Sequence, residues 1–235
     1  IPTPFNNPPR PSERERFSFL TGAVASNAEQ HDKAIKFLNA DDMAINAKAP
    51  DFLINDILET DTHGVMFGAS QSFKSFNALS IAFSICTGVA FMGHDVYRTG
   101  KVVYVCGEGM GALSRRFKAM RLTNGDFKGN LLVVDGAIEI DVTNQMVNFE
   151  KALKQLQPAL VIFDTFSALA TNTDESDNPE VAKVLKLVKE TCSNGLTTSI
   201  IVHHTGKDAT KGARGASAFT ANVDFSYLLE RNNSM

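Results

Sequence analysis

The sequence FGASQSFKSF, residues 67–76, decides which fold this chain can adopt. It nearly matches the phosphate-binding loop pattern, which is Gly, four free residues, and then Gly-Lys-Ser or Gly-Lys-Thr. Gly68 opens the pattern and Lys74 and Ser75 close it, but Phe73 stands where the second glycine belongs. The alternative interpretation is a Ser-rich turn that caps a helix and carries an exposed lysine. Residues elsewhere in the sequence distinguish a phosphate-binding loop from such a turn.

A phosphate-binding loop needs a strand before it and a helix after it, because loop N–H groups and the helix N-terminus hold the anion. The run GVMF, residues 64–67, predicts the strand, and the apolar spacing after Lys74 predicts the helix. Lys74 then reaches the β- and γ-phosphates, and the Ser75 hydroxyl binds Mg²⁺. Phe73 fits only with ordinary backbone dihedrals, since a bulky residue at positive φ is an outlier. The predicted nucleotide contacts are Gly68, Ala69, Ser70, Gln71, Ser72, Phe73, Lys74 and Ser75.

Short apolar runs alternate with helical patterns from Gly64 onward. The runs are GVMF, KVVYVC, NLLVVD, ALVIF, TTSIIVH and VDFSYLL. Strands that are apolar throughout indicate burial on both faces of the sheet. The alternation therefore predicts an α/β fold, with a mostly parallel sheet sandwiched by helices.

Polar residues suited to a phosphate site follow other predicted strands, and ligands of open α/β sheets bind at the carboxyl ends of the strands. Asp164 ends one strand and is predicted to hold Mg²⁺ through water; capping of the next turn is the alternative. Glu108 lies between two glycines, where it can activate or orient water or simply begin a helix. His203 and His204 end a third strand, and either is a candidate sensor of the γ-phosphate. Together these strand ends favour ATP or GTP binding.

The segment TGKDATKGARGASAF, residues 205–219, is basic and contains glycines that permit movement. It contains three basic residues, Lys207, Lys211 and Arg214, and one acidic residue, Asp208. A polyanion contact is the prediction and a solvated surface loop is the alternative. Nucleic-acid binding is assigned to Lys207 and Lys211, and DNA affinity is expected to concentrate in this loop.

Composition excludes several other classes of protein. The 235 residues are 43% hydrophobic with a formal charge of −3, so the whole chain has no basic field that would attract nucleic acid. Three cysteines without metal-ligand spacing predict reduced thiols and a cytoplasmic location. No apolar run reaches the roughly 20 residues that span a bilayer, so no membrane association is expected.

The N-terminal residues have a different composition from the rest. Five of the eight prolines fall in the first eleven residues, which predicts a Pro-rich linker or arm over residues 1–26. Residues 27–39 are predicted to begin the main domain with a helix. The domain is predicted to run over residues 27–235, and the chain to be a fragment of a longer protein.

The ordered motifs GASQSFKS, CGEG, LVIFDT, IIVHHTGK and RGASAF resemble those of RecA-like P-loop ATPases. The resemblance covers residues 49–231 and points to the branch with RepA-type hexameric replicative helicases and the AAA-domain proteins of phages and plasmids. It implies ATP and Mg²⁺ as cofactors, Lys74 and Ser75 as the Walker A pair, and Asp164 as the Walker B acid. Glu108 corresponds to the catalytic glutamate, and Arg214 to an arginine that often acts across a subunit boundary.

The resemblance implies the ATP-hydrolysing motor of a replicative DNA helicase, a hexameric ring that moves on single-stranded DNA in the cytoplasm, or in the host cytoplasm if phage-encoded. A primase or polymerase domain upstream is expected by analogy. Two features depart from the family pattern: Phe73, and the acidic segment ALATNTDESDNPE after the strand that Asp164 ends. The alternatives are a RecA- or RadA-like recombination or repair ATPase that forms filaments, and a nucleotide-gated assembly module with little turnover, which Phe73 favours.

Overall fold

The computed structural model describes residues 37–47, 49–107, 109–134, 136, 138–193, 197–204 and 216–231. The chain divides into two units, Ile1–Ala49 and Pro50–Met235. The described part of the first unit holds helix α1 (Ala40–Ile45), where the Asn39 side chain accepts hydrogen bonds from the N–H groups of Asp41 and Asp42. The predicted arm and residues 27–36 of the predicted helix lie outside the described residues. Residues 37–39 are not helical, because the Asn39 cap starts the helix at Ala40.

The second unit is built on a six-stranded sheet with helices between its strands. A separate antiparallel pair, β1 (Phe52–Ile54) and β2 (Leu58–Glu59), precedes it. The sheet strands are β3 (His63–Gly68), β4 (Val102–Cys106), β5 (Leu131–Val133), β6 (Leu160–Asp164), β7 (Thr198–His204) and β8 (Phe225–Leu229). The helices are α2 (Lys74–Thr87), α3 (Met110–Asn124), α4 (Thr143–Leu156), α5 (Phe166–Leu169), α6 (Asn178–Cys192) and α7 (Ala216–Ala221).

The sheet order is β5-β4-β6-β7-β3-β8, and every neighbouring pair is parallel. Two hydrophobic clusters cover the two faces of the sheet. One contains apolar residues of α4, α5, α6 and α7, and the other contains those of α2, of α3 and of the β1–β2 pair. Alternate residues of a strand enter opposite clusters, as Val103 and Tyr104 of β4 do, since successive side chains point to opposite faces. The predicted α/β fold, a RecA-like P-loop core, is confirmed.

Parallel pairing brings the carboxyl ends of β3, β4, β6 and β7 to one edge of the sheet. Gly68 at the end of β3 pairs with His204 at the end of β7. Cys106 at the end of β4 pairs with Asp164 at the end of β6. The strand ends that carry the predicted site residues therefore lie side by side. In the part of the chain that the structure describes, no helix is long and apolar enough to cross a membrane.

Candidate nucleotide-binding site

A cavity of about 500 Å³ opens at this edge of the sheet. Loop residues 70–73 and the first turn of α2 line it, together with Thr165 after β6 and His204 at the end of β7. Two arginines that the sequence analysis did not single out, Arg116 and Arg231, line it as well. The cavity thus combines a loop, a helix N-terminus and cations, which is the chemistry that a polyphosphate requires.

Gly68 has no room for a side chain. A Cβ at this position would lie 2.3 Å from the backbone oxygen of Leu229 and 2.7 Å from Ser72 Oγ. Only glycine lets β3 run this close to the end of β8 while the loop folds back over it. The first glycine of the motif is therefore required by packing.

Phe73 adopts the left-handed conformation, with φ 62° and ψ 24°. The expectation of ordinary dihedrals at this residue is wrong. Phe73 is the residue immediately before α2, and its carbonyl oxygen accepts hydrogen bonds from Asn77 N at 3.0 Å and Asn77 Nδ2 at 3.1 Å. Its side chain is 57% exposed and meets the ring of Phe76 edge-on, with centroids 6.1 Å apart. Phenylalanine here holds the backbone shape that the usual glycine would adopt easily.

Lys74 is 4% exposed and turns back onto its own loop. Its Nζ donates to the carbonyl oxygens of Gly68 at 2.8 Å and Ala69 at 2.7 Å. Burial lowers the pKa of Lys74, and the nearby Asp164 carboxylate acts in the opposite direction. The ammonium is held inside the loop, where its donors can be transferred to a phosphate.

Asp164 ends β6 with one carboxylate oxygen engaged. Its Oδ2 accepts a hydrogen bond from the Tyr104 hydroxyl of neighbouring β4. Burial, and then the charge of Asp164, raise the pKa of Tyr104 well above its ordinary value, so the phenol stays a neutral donor. Asp164 Oδ1 is buried without a hydrogen-bond partner among the described residues. A buried carboxylate oxygen of this kind suits a cation or a water bound to one.

His203 and His204 have different surroundings, because adjacent residues of a strand face opposite sides. The His203 ring stacks on Phe219 of α7, with centroids 4.1 Å apart, and meets the edge of Phe166 at 5.8 Å. Burial lowers the pKa of His203 to about 4, with smaller contributions from His204 and Lys74, so His203 is neutral at pH 7. His204 is half-buried and lines the cavity.

The family model described as "AAA domain" matches residues 30–210, which is more than half of the chain. The chain belongs to the AAA domain family. Members of this family are ATPases that bind ATP with Mg²⁺. Among curated proteins, no significant match to the chain is found.

Several predicted residues of this AAA domain lie outside the described residues: Glu108, Lys207, Lys211 and Arg214. The residue before Glu108 is described and tightly packed. Gly107 N donates to the carbonyl oxygen of Asp164 at 2.8 Å, and a Cβ on Gly107 would lie 2.6 Å from Ala168 Cβ. The strand that leads to Glu108 is thus anchored to β6 and α5.

Arg116 is the clearest site residue of the AAA domain that sequence reasoning missed. It lies on α3, and its guanidinium carbon is 5.3 Å from the centroid of the Phe76 ring on α2. Its position in the sequence could have indicated this role. Helix α3 follows β4, so its first turns lie at the carboxyl edge of the sheet, where ligands bind. Arg231 lies just after β8, and the sequence around it contains no motif that would predict a site residue.

The described residues include no group of three or more His, Cys, Asp or Glu side chains arranged to hold a metal ion. A cation in this AAA domain would therefore rely on few protein ligands. The buried Asp164 Oδ1 and the Ser75 hydroxyl beside the cavity fit Mg²⁺ bound together with phosphate oxygens, which is the usual mode for this ion.

Proposed function

We propose that this AAA domain is the ATP-hydrolysing motor of a replicative DNA helicase, and that it works as a hexameric ring on single-stranded DNA. The observation that carries the proposal is the cavity in which Lys74, Ser75 and His204 meet, with Asp164 close enough to act on Lys74. Family membership supports the ATPase part. The motif resemblance supports the helicase part.

Nucleotide binding in this proposal begins with Lys74. The β- and γ-phosphates replace the carbonyl oxygens of Gly68 and Ala69 as acceptors for its Nζ. Charge-assisted hydrogen bonds to phosphate are stronger than bonds to neutral carbonyls, so this exchange is favourable. Arg116 adds a second cation from α3.

Mg²⁺, when bound, supplies positive charge that neutralises the β- and γ-phosphate oxygens. Ser75 and the free oxygen of Asp164 would hold it. The Tyr104 hydroxyl keeps the other carboxylate oxygen engaged and so fixes the orientation of Asp164.

Hydrolysis is assigned to Glu108, which orients or deprotonates the attacking water. His204 is the proposed γ-phosphate sensor, because it lines the cavity and directly precedes the basic loop. His203 instead packs against α7, which follows residues 205–215 in the sequence. Arg214 is proposed to complete the site of a neighbouring subunit.

The test is phosphate release by the purified chain with and without single-stranded DNA. Wild type should hydrolyse ATP and be stimulated by DNA. Lys74→Ala should bind ATP at least tenfold more weakly, since a charge-assisted hydrogen bond contributes about 1.5–3 kcal/mol. Glu108→Gln should retain ATP and lose turnover. Unchanged ATP affinity in a folded Lys74→Ala protein would refute the phosphate-loop assignment, and turnover without any DNA response would refute the helicase role.

A nucleotide-gated assembly module is the second candidate, favoured by the bonds of Lys74 to its own loop. Nucleotide would have to break these bonds before it binds, so binding itself could be the switch. This candidate requires ATP-dependent assembly with negligible phosphate release in the same assay.

A further inference from the structure

Helix α3 is the most cationic and least buried of the long helices described. Its 15 residues, Met110–Asn124, carry four cations and no acid, and Leu113 is its one buried side chain. By comparison, α4 buries three side chains and α6 buries six. Helix α3 is therefore a second basic stretch of this near-neutral chain, besides residues 205–219, where DNA affinity is expected to concentrate.

The cations of α3 also lack acidic partners among the described residues. Within the described part of the chain, Lys154, Lys186 and Lys189 of other helices form ion pairs, whereas no α3 cation lies within 4.0 Å of a carboxylate. Arg116 contacts the ring of Phe76. The remaining three, Arg115, Lys118 and Arg121, are exposed. Unpaired cations on one helix attract an anion more strongly than cations neutralised by neighbours.

A groove of about 350 Å³ runs between α3 and the edge strand β5. The exposed side chains of Lys118 and Arg121 line it. Phe117 and Phe127 line it edge-to-face, with ring centroids 5.8 Å apart, and Leu131 and Val133 complete its apolar wall. Aromatic and apolar surface bordered by cations is the combination that binds bases and backbone of an unpaired strand.

We propose that this groove binds single-stranded nucleic acid, with phosphates on Lys118 and Arg121 and a base against Phe117 and Phe127. The occupant is identified by charge complementarity, since unpaired cations border a surface that is otherwise apolar. A duplex is not the expected ligand, because its bases are stacked inside and cannot reach the aromatic rings. The inference rests on the proposed function, to which it adds a second contact surface besides Lys207 and Lys211.

The test is fluorescence anisotropy of labelled oligo-dT and oligo-rU, titrated with the full chain at several salt concentrations. Lys118→Gln with Arg121→Gln should weaken binding at least tenfold at low salt. The salt slope should fall by about 1.4, since each lost phosphate contact on a single strand contributes about 0.7. The matched control is Lys183→Gln with Lys186→Gln, two lysines with the same spacing on α6 at the opposite face of the sheet; it should leave both quantities unchanged.

The outcomes separate this inference from the proposed function. If wild type binds neither oligonucleotide, the DNA-coupled function and this groove both fail. If wild type binds and Lys207→Ala with Lys211→Ala lowers the salt slope, but the α3 variant does not, the groove is overturned and the proposed function stands. An α3 variant that changes only self-association by sedimentation would make this face an interface between copies, which also overturns the inference. Cross-linking of iodouracil-substituted oligo-dT to Phe117 or Phe127 would support base docking.

Discussion

Phe73 has a left-handed backbone conformation at the position where the phosphate-loop pattern has its second glycine. The conformation costs an L-residue about 1–2 kcal/mol, because Cβ approaches the following carbonyl oxygen. The chain passes from the loop into α2 at this residue: Lys74 is already helical, and the Phe73 carbonyl accepts a hydrogen bond from Asn77 N. The loop therefore keeps its shape without the second glycine, at a local cost in stability.

Replacing Phe73 by Gly should leave nucleotide binding intact and keep stability within about 1 kcal/mol of wild type, with a shift toward stabilisation. Relief of the left-handed strain is opposed by the larger unfolded-state entropy of glycine, about 0.5–1 kcal/mol. Urea unfolding and ATP titration measure both effects. Phe73→Ala is the control, because it removes the ring and retains the strain. A Phe73→Gly protein less stable than Phe73→Ala would contradict the strain argument.

Burial of neutral His203 makes the stability of the protein depend on pH. Its folded pKa of about 4 lies below the ordinary value of 6.5, so the unfolded chain binds a proton first as pH falls. The contribution of neutral His203 to the free energy of unfolding is therefore fully present above about pH 6.5. It is lost as the pH falls toward 4, by up to about 3 kcal/mol. His203→Leu should flatten the pH dependence of the free energy of unfolding across this window. An unchanged slope would show that other groups, such as His63, whose pKa burial also lowers, dominate it.

The two histidines also show where sequence reasoning stops. Strand alternation states that His203 and His204 face opposite sides, yet it does not state which side holds the site. That depends on the helices packed on each face, here Phe219 of α7 against His203. The dihedrals of Phe73 were mispredicted for a related reason: residue preferences describe isolated backbone, whereas the folded loop, in which Gln71 also has a positive φ, sets the conformation here.

Among the elements, the connection from β6 to α6 accounts for the acidic segment that departs from the family pattern. Asp177 caps α6 by accepting from Glu180 N at 3.0 Å, and Glu180 Oε2 accepts from Asp174 N at 2.9 Å. Asp141, just before α4, accepts from Asn172 N at 2.7 Å. These acids satisfy backbone donors of a helix start and a turn, so local folding explains them. The sequence DNPE carried this capping signature, since it places Asp177 at the N-cap and Glu180 three residues later.

The close packing of β4 on α5 gives a prediction with an internal control. A Cβ at Gly107 would lie 2.6 Å from Ala168 Cβ and 3.0 Å from the Ala168 backbone carbon, whereas one at Gly109 would meet nothing within 4 Å. Gly107→Ala should therefore cost about 1–3 kcal/mol through overpacking. Gly109→Ala meets no atom and should cost less, up to about 1 kcal/mol, because Gly109 is the N-cap of α3, where glycine is preferred over alanine. Thermal unfolding of the two variants makes the comparison, and equal melting temperatures would show that α5 moves aside without cost.

For the molecule as a whole, the sequence predicted the layers of the fold and could not predict the sheet order. Uniformly apolar runs such as those of β4 and β6 require helices on both faces, which determines the fold class. The placement of β7 between β3 and β6 depends on contacts between distant segments and leaves no local signal. The same holds for the groove on α3, which forms only when Phe127 and β5 pack beside that helix.

Assembly gives the last prediction, because Arg214 is proposed to complete the site of a neighbouring copy. Arg214→Ala and Glu108→Gln should each abolish hydrolysis when assayed alone. In a heterologous ring, an equal mixture leaves about a quarter of the interfaces with both Glu108 and Arg214 intact, if the copies mix at random. Activity should therefore return to about a quarter of the wild-type rate per subunit when the sites act independently. The two proteins carry different tags, so that recovery of both on one affinity resin shows that they co-assemble. No activity in a mixture that co-assembles would place Arg214 outside the neighbour's site.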